Sequence, residues 1–218
     1  GTIPGMEDKE TYGHRPNGTY LPRFRNVKTA SSDFLRGYAF QGGGGRGGFG
    51  ADTPGFGRAF KEALRKQGPW YFSFYGFGEC LPRPTNYVEL DPVAVDKWGI
   101  PALRIHCTWS DNERALLKDM SVTAAEMLDA SGARDVKPFV QDNPPGLTIH
   151  EMGTARMGRD PRTSVLNAHN QAHDIPNLFL TDGACMASSA NQNPSITYMA
   201  LTARAVDYAV GQMNRHAL

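Results

Sequence analysis

A chain of 218 residues with 23 Lys+Arg against 22 Asp+Glu has a formal net charge of +1, which leaves no basic footprint for nucleic acid or an anionic membrane. Its content of 40% hydrophobic and 10% aromatic residues is enough for a packed core, yet no apolar run approaches the roughly 20 residues that span a bilayer. Three cysteines without paired spacing argue against a disulfide scaffold or a zinc ribbon, and 24 Gly with 15 Pro point to a loop-rich chain.

The opening, Gly1-Thr2-Ile3-Pro4-Gly5-Met6-Glu7, has neither a charged start nor an apolar stretch, so it is no signal peptide. It reads as part of a longer or processed protein. Targeting information is expected outside the chain, which leaves cytoplasm and periplasm both open. Residues 1–33 read as extended loop, with Pro4, Pro16 and Pro22; Asn17-Gly18-Thr19 fits the glycosylation pattern, a match common by chance. Phe34 to Phe40 reads as a strand running into the glycines of 42–48. Thr53-Pro54 opens an expected helix with Phe56, Phe60 and Leu64 as its apolar stripe, closed by Gly68.

Pro69 to Cys80 is aromatic and β-prone. Asn86–Pro92 and Ala102–Trp109 read as an antiparallel pair. Ser110 or Asp111 then caps a helix with Leu116, Met120, Ala124, Met127 and Leu128 on one face, closed by Gly132. Asp142-Asn143-Pro144-Pro145-Gly146 is the sharpest internal break, dividing residues 1–146 from 147–218. A last helix from about Ser195 places Met199, Ala203, Val206, Val210 and Met213 on one face.

Gly42, Gly44 and Gly47 fit G-x-G-x-x-G literally. The dinucleotide fingerprint needs a helix opening inside it, and Phe49 to Pro54 prevents that. No Gly-Lys-Ser/Thr follows, so it is no phosphate loop. A close backbone approach or a mobile loop is the expectation.

Chemistry gathers between Leu147 and Arg204. His150 lies in a Gly-punctuated turn, Asp182-Gly183 follows the apolar run Leu178–Thr181, and Asn191-Gln192-Asn193-Pro194 stands at the mouth of the last helix. A His that accepts a proton, beside an amide and free backbone N–H groups, suits removal of a hydroxyl proton. Each item alone also has an ordinary reading: a structural His, an Asp-Gly turn, a helix lead-in. No Gly-x-Ser-x-Gly elbow accompanies His150, which disfavours a hydrolase. His169 and His173 are spaced i,i+4, but Asn167, Asn170 and Asp174 make that stretch a turn, and no metal site is expected. His106, among apolar strand residues, reads as structural, and Cys185 as a small buried residue.

His150-x-x-Gly153-Thr154-x-Arg156-Met157-Gly158, then Asn177-Leu178-Phe179-Leu180-x-Asp182-Gly183, then Asn193-Pro194-Ser195-Ile196-Thr197 with Leu201 and Arg204-Ala205 resembles the C-terminal signature of the glucose–methanol–choline (GMC) oxidoreductases. The blocks stand in the family's order, and the strong match covers residues 147–210. Upstream, Arg15–Asn26 and Asn86–Asp91 are similar to bacterial members near pyranose oxidase and glycoside 3-dehydrogenases.

The resemblance implies oxidation of an alcohol, a sugar or glycoside hydroxyl, by hydride transfer to FAD. It makes His150 the base and Asn193 the partner that hydrogen-bonds the substrate oxygen. Asn stands where other members carry a second His, as in the choline- and pyranose-oxidising branches. Asp182, Gly183 and Ala184 would form the turn along the FAD, with Asn193-Pro194 facing the flavin pyrimidine edge. Arg156 would be structural. The aromatic and glycine-rich stretch Phe34–Tyr75 reads as a carbohydrate platform or as ordinary sheet core.

The fold implied is α+β: a mostly antiparallel sheet flanked by helices as a substrate domain in 1–146, with 147–218 returning to complete an FAD-binding domain whose N-terminal half lies outside the chain. That half, a sugar or other alcohol and an unidentified electron acceptor (oxygen, quinone or cytochrome) are the implied partners. The 218-residue piece alone is expected to be colourless and inactive. The alternative is a non-catalytic carbohydrate-binding fragment.

Overall fold

The computed structural model describes residues 1–5, 18–46, 54–65, 68–140, 144–147 and 149–218. Asn17 of the glycosylation pattern, residues 47–53 with Thr53, and Asp142-Asn143 of the break lie outside them. The elements in chain order are β1 (Thr19–Leu21), β2 (Tyr38–Arg46), α1 (Gly57–Arg65), β3 (Trp70–Gly78), β4 (Tyr87–Val95), β5 (Pro101–His106), α2 (Asp111–Ala130), a 3-10 turn (Gly183–Cys185) and α3 (Ser195–Asn214). Two small antiparallel sheets, β1-β2-β3 and β4-β5, with helices, make this an α+β arrangement. The chain divides into two compact units: Gly1–Gly78 with Ala115–Gln141, and Glu79–Arg114 with Asp142–Leu218.

In the first unit the described glycines of the run, 42–45, lie in strand β2. Gly42 pairs with Phe74, Gly44 with Phe72 and Gly45 with Tyr71 across β2–β3. Glycine is a poor strand former because it offers nothing to pack. Here the partner rings use the vacated space: a Cβ on Gly42 would lie 2.7 Å from Phe74 Cδ1 and 2.9 Å from Phe72 Cε1. The close backbone approach expected for these glycines is therefore present, and the loop is not.

Helix α2 rests on the same sheet. A Cβ on Gly76 would come within 2.5 Å of Met120 Sδ, and one on Gly78 would strike Leu116. Phe34, Tyr38, Phe40, Leu116 and Met120 form the core, with Phe74, Ala124 and Met127 against it. Phe34 precedes the strand, which starts only at Tyr38. The Tyr38 ring is fully buried; its hydroxyl donates to Asp119 and approaches Thr123 Oγ1 at 3.2 Å. Arg25 binds the same pair, Nε to Asp119 Oδ2 at 2.9 Å and Nη2 to Thr123 Oγ1 at 2.9 Å. The buried phenol thus meets a fully satisfied polar cluster rather than bare hydrocarbon. Helix α1 starts at Gly57, later than the Thr53-Pro54 signal, and none of its residues is buried; Phe56 of the expected stripe is 93% exposed.

In the second unit β4 and β5 form the expected antiparallel pair, Tyr87 opposite His106 and Leu90 opposite Leu103. One face carries Glu89, Asp91, Arg104 and His106, with His106 Nε2 2.8 Å from Glu89 Oε1 and Arg104 Nε 3.5 Å from Asp91 Oδ2. His106 also stacks on Tyr87 with ring centroids 4.3 Å apart. The start of α2 is a capping box: the Ser110 N–H donates to Glu113 Oε2 at 2.8 Å, and the Leu81 N–H to Glu113 Oε1 at 3.0 Å. Burial alone would raise the Glu113 carboxyl; the hydrogen bonds from Ser110 and Leu81 outweigh it and hold the group below its ordinary value.

Helix α3 begins at Ser195 as the spacing predicts, and the apolar residues expected on one of its faces lie exposed in this chain. Met199, Val206, Val210 and Met213 are exposed, while Ala205 is buried and Leu201 packs against Leu166, Ala172 and Cys185.

Candidate active site

Residues 150–186 hold together by main-chain bonds with little regular structure. The N–H groups of Gly153, Ala155 and Met157 donate to the carbonyls of Gly183, Ala184 and Cys185 at 3.3, 3.0 and 2.8 Å. The chain after His150 therefore runs alongside the Asp182 turn. That turn is capped by its own side chain: Asp182 Oδ1 accepts from the Ala184 N–H at 3.0 Å, and Asp182 O from the Cys185 N–H at 3.2 Å. Gly153 sits in the left-handed region, φ 89°, where a Cβ would lie 3.3 Å from Met186 O. Only glycine adopts this without strain.

Helix α3 joins the pair. The Tyr198 N–H donates to Pro194 O at 3.0 Å, and Thr202 Oγ1 reaches Thr181 O at 3.5 Å. At Gly183 a Cβ would lie 2.8 Å from both Glu151 O and Tyr198 Oη. His150 is half-buried, Pro194 buried and Asn193 exposed at the helix mouth. The structure sets the segment that follows His150 against the Asp182–Ala184 turn, and helix α3 meets that turn through Tyr198 at Gly183 and Thr202 at Thr181. Pro194 gives α3 no side-chain cap bond, and no acidic residue occupies the first turn. The positive end of the helix thus carries no cap bond from Pro194, which suits an electron-rich ring edge there.

Neighbouring polar residues are structural. Asn170 is fully buried at φ 63°; its Nδ2 donates to Leu180 O at 2.9 Å and its Oδ1 accepts from Arg204 Nη2 at 3.1 Å. His169 stacks on Tyr208, centroids 3.9 Å apart, and His173 Nε2 lies 3.1 Å from Ser164 Oγ. Among the described residues no three His, Cys, Asp or Glu side chains gather as a metal site. Arg156 donates to Thr163 O, while its own carbonyl accepts from Val165 and Leu166. Cys185 is fully buried, and burial raises its thiol pKa. Sequence reasoning missed Tyr198 and Asn170. The i,i+4 spacing of Tyr198 from Pro194 was the only available signal for the first.

The family model described as GMC oxidoreductase, in its C-terminal portion, matches residues 82–202. The chain is 38% identical over 156 residues to 2-methyl-1,2-propanediol dehydrogenase of Mycolicibacterium austroafricanum, covering 70% of this chain and 28% of that protein. It is 28% identical to the gluconate 2-dehydrogenase flavoprotein of Pantoea cypripedii, over 69% of this chain and 25% of the relative. The fructose dehydrogenase large subunit of Gluconobacter japonicus is 29% identical over 73% of this chain and 29% of its own length. The chain thus spans little more than a quarter of these relatives.

Proposed function

Since the chain belongs to the GMC oxidoreductase family, we propose that it forms the substrate-facing, base-carrying part of an enzyme oxidising a sugar or glycoside hydroxyl with FAD. Residues 1–146 supply the substrate-binding domain, and 147–218 the active-site segment that returns to the FAD-binding half. The observation that carries this reading is the meeting of the His150, Asp182 and Asn193 blocks around Gly183.

FAD, when bound, supplies the hydride-accepting chemistry. The Asp182-Gly183-Ala184 turn and the Asn193-Pro194 start of α3 would hold it, and the uncapped first turn of α3 fits an electron-rich flavin edge. An imidazole nitrogen of His150 takes the substrate hydroxyl proton. The Asn193 amide donates to the same oxygen as its charge builds, which orients the alcohol and lowers the barrier. Tyr71 and Tyr75 are the exposed aromatic residues of β3, whereas Phe34, Tyr38 and Phe40 belong to the core. Among the described residues of Phe34–Tyr75, these two tyrosines and Phe56 are the exposed rings open to a sugar face.

The test is dye reduction by the intact FAD-containing protein across a panel of sugars, glycosides and diols. His150→Ala is expected to slow flavin reduction roughly 10²–10⁴-fold with flavin content retained. An unchanged rate rejects the base. Sugar binding without any flavin reduction favours the non-catalytic carbohydrate-binding reading.

A further inference from the structure

Gly183 is a contact point with no room for a side chain. The Glu151 carbonyl approaches one side of its Cβ position at 2.8 Å, and the Tyr198 hydroxyl approaches at 2.8 Å with Cζ at 3.5 Å. Glu151 directly follows His150. Tyr198 stands one helical turn beyond Pro194 and is tied to it by the 3.0 Å bond from its N–H. Gly183 O in turn accepts from the Gly153 and Met186 N–H groups at 3.3 and 3.1 Å. At the end of α3 nearest Asn193, the Tyr198 side chain is thus what stands against Gly183, opposite the Glu151 carbonyl of the His150 segment.

We propose that Tyr198 is a positioning residue: its phenol end, seated on Gly183, fixes how closely the His150-bearing segment approaches the Asn193–Pro194 helix start. The proposal rests on the assignment of His150 and Asn193 above and adds what aligns them. Tyr198 does not touch the reacting atoms. Burial and then the neighbouring Asp182 raise its phenol pKa, so the ring stays neutral at physiological pH and acts by shape. A shortened side chain would let Gly183 and the main chain bonded to it settle toward α3. Displacements of about 1 Å in a reacting geometry can cost about 10²-fold in rate.

The test uses the FAD-loaded full-length protein with Tyr198→Ala, Tyr198→Leu, Tyr198→Phe and, as reference, His150→Ala. The measurements are flavin content, the absorption maximum of bound flavin, KM, and the limiting rate of flavin reduction per bound flavin. The expected result is a reduction rate about 10²-fold lower in Tyr198→Ala and Tyr198→Leu, with KM little changed and a displaced flavin band. Tyr198→Phe, which keeps the ring, is expected to restore both rate and spectrum. Normal rates per bound flavin in Ala and Leu, even with flavin content or melting temperature lowered, overturn the proposal. A Phe variant as slow as Ala also overturns it, because the hydroxyl and not the reach of the ring would then matter. A slow His150→Ala beside normal Tyr198 variants refutes the positioning role alone, whereas a normal His150→Ala refutes the base assignment beneath it.

Discussion

The two compact units use glycine for different purposes. In the unit built on β1–β3 and α2, Gly42, Gly76 and Gly78 clear space for side chains: Phe72, Phe74, Met120 and Leu116. In the other unit, Gly153 clears space for main chain, the Met186 carbonyl, and Gly183 for the Glu151 carbonyl and the Tyr198 hydroxyl together. A side chain can move aside when a methyl group intrudes, but a carbonyl fixed in a hydrogen-bonded turn cannot. The first region should therefore behave as a volume-controlled core, and the second as a backbone-controlled site.

The largest effect belongs to the core. Phe40→Ala, emptying the centre of the β2–α2 packing, should destabilise the protein by about 3–5 kcal/mol in denaturant unfolding. Gly76→Ala should cost about 1–3 kcal/mol from overpacking, and less when Met120→Ala has already removed the opposing sulfur. That coupling, read in a double-mutant cycle, sharpens the contrast. Gly153→Ala should cost about 1–2 kcal/mol because its φ is left-handed, with no relief from Met186→Ala, since the crowding atom is a backbone oxygen. Relief there would break the comparison.

The smallest expected effect is conditional on pH. The Glu113 carboxyl is lower in the folded protein than its ordinary 4.5. Its contribution is therefore present above about pH 4.5 and lost as pH falls through the lowered folded value. Melting temperature should drop over that acid range, and Glu113→Gln should flatten the drop while costing about 1 kcal/mol near neutrality.

Elements whose cause is local were legible from residues alone. A cap at Ser110 or Asp111 and the apolar period of α2 announced the helix, and the flanking turns announced β4 and β5. The glycine strand was not legible, because its stabilisation lies in rings that β3 contributes about 30 residues later in register. Helix α3 was legible as a helix, whereas the burial of Ala205 was not, since so small a residue carries little hydrophobic signal of its own. At the site, motif residues marked His150, Asp182 and Asn193. Tyr198 and Asn170 left almost no trace, because what each does depends on a neighbour's backbone.

Asn170 shows how narrow such a position can be. Its φ of 63° admits Gly, Asn, Asp and His at modest cost. Glycine would leave Leu180 O and the Arg204 guanidinium unanswered. Aspartate would serve the guanidinium but set oxygen against oxygen at Leu180, and a histidine ring exceeds the space of a fully buried amide. Of twenty side chains, one meets the backbone angle, the donor requirement and the acceptor requirement together. In a saturation library selected for folding, this column should collapse to a single letter.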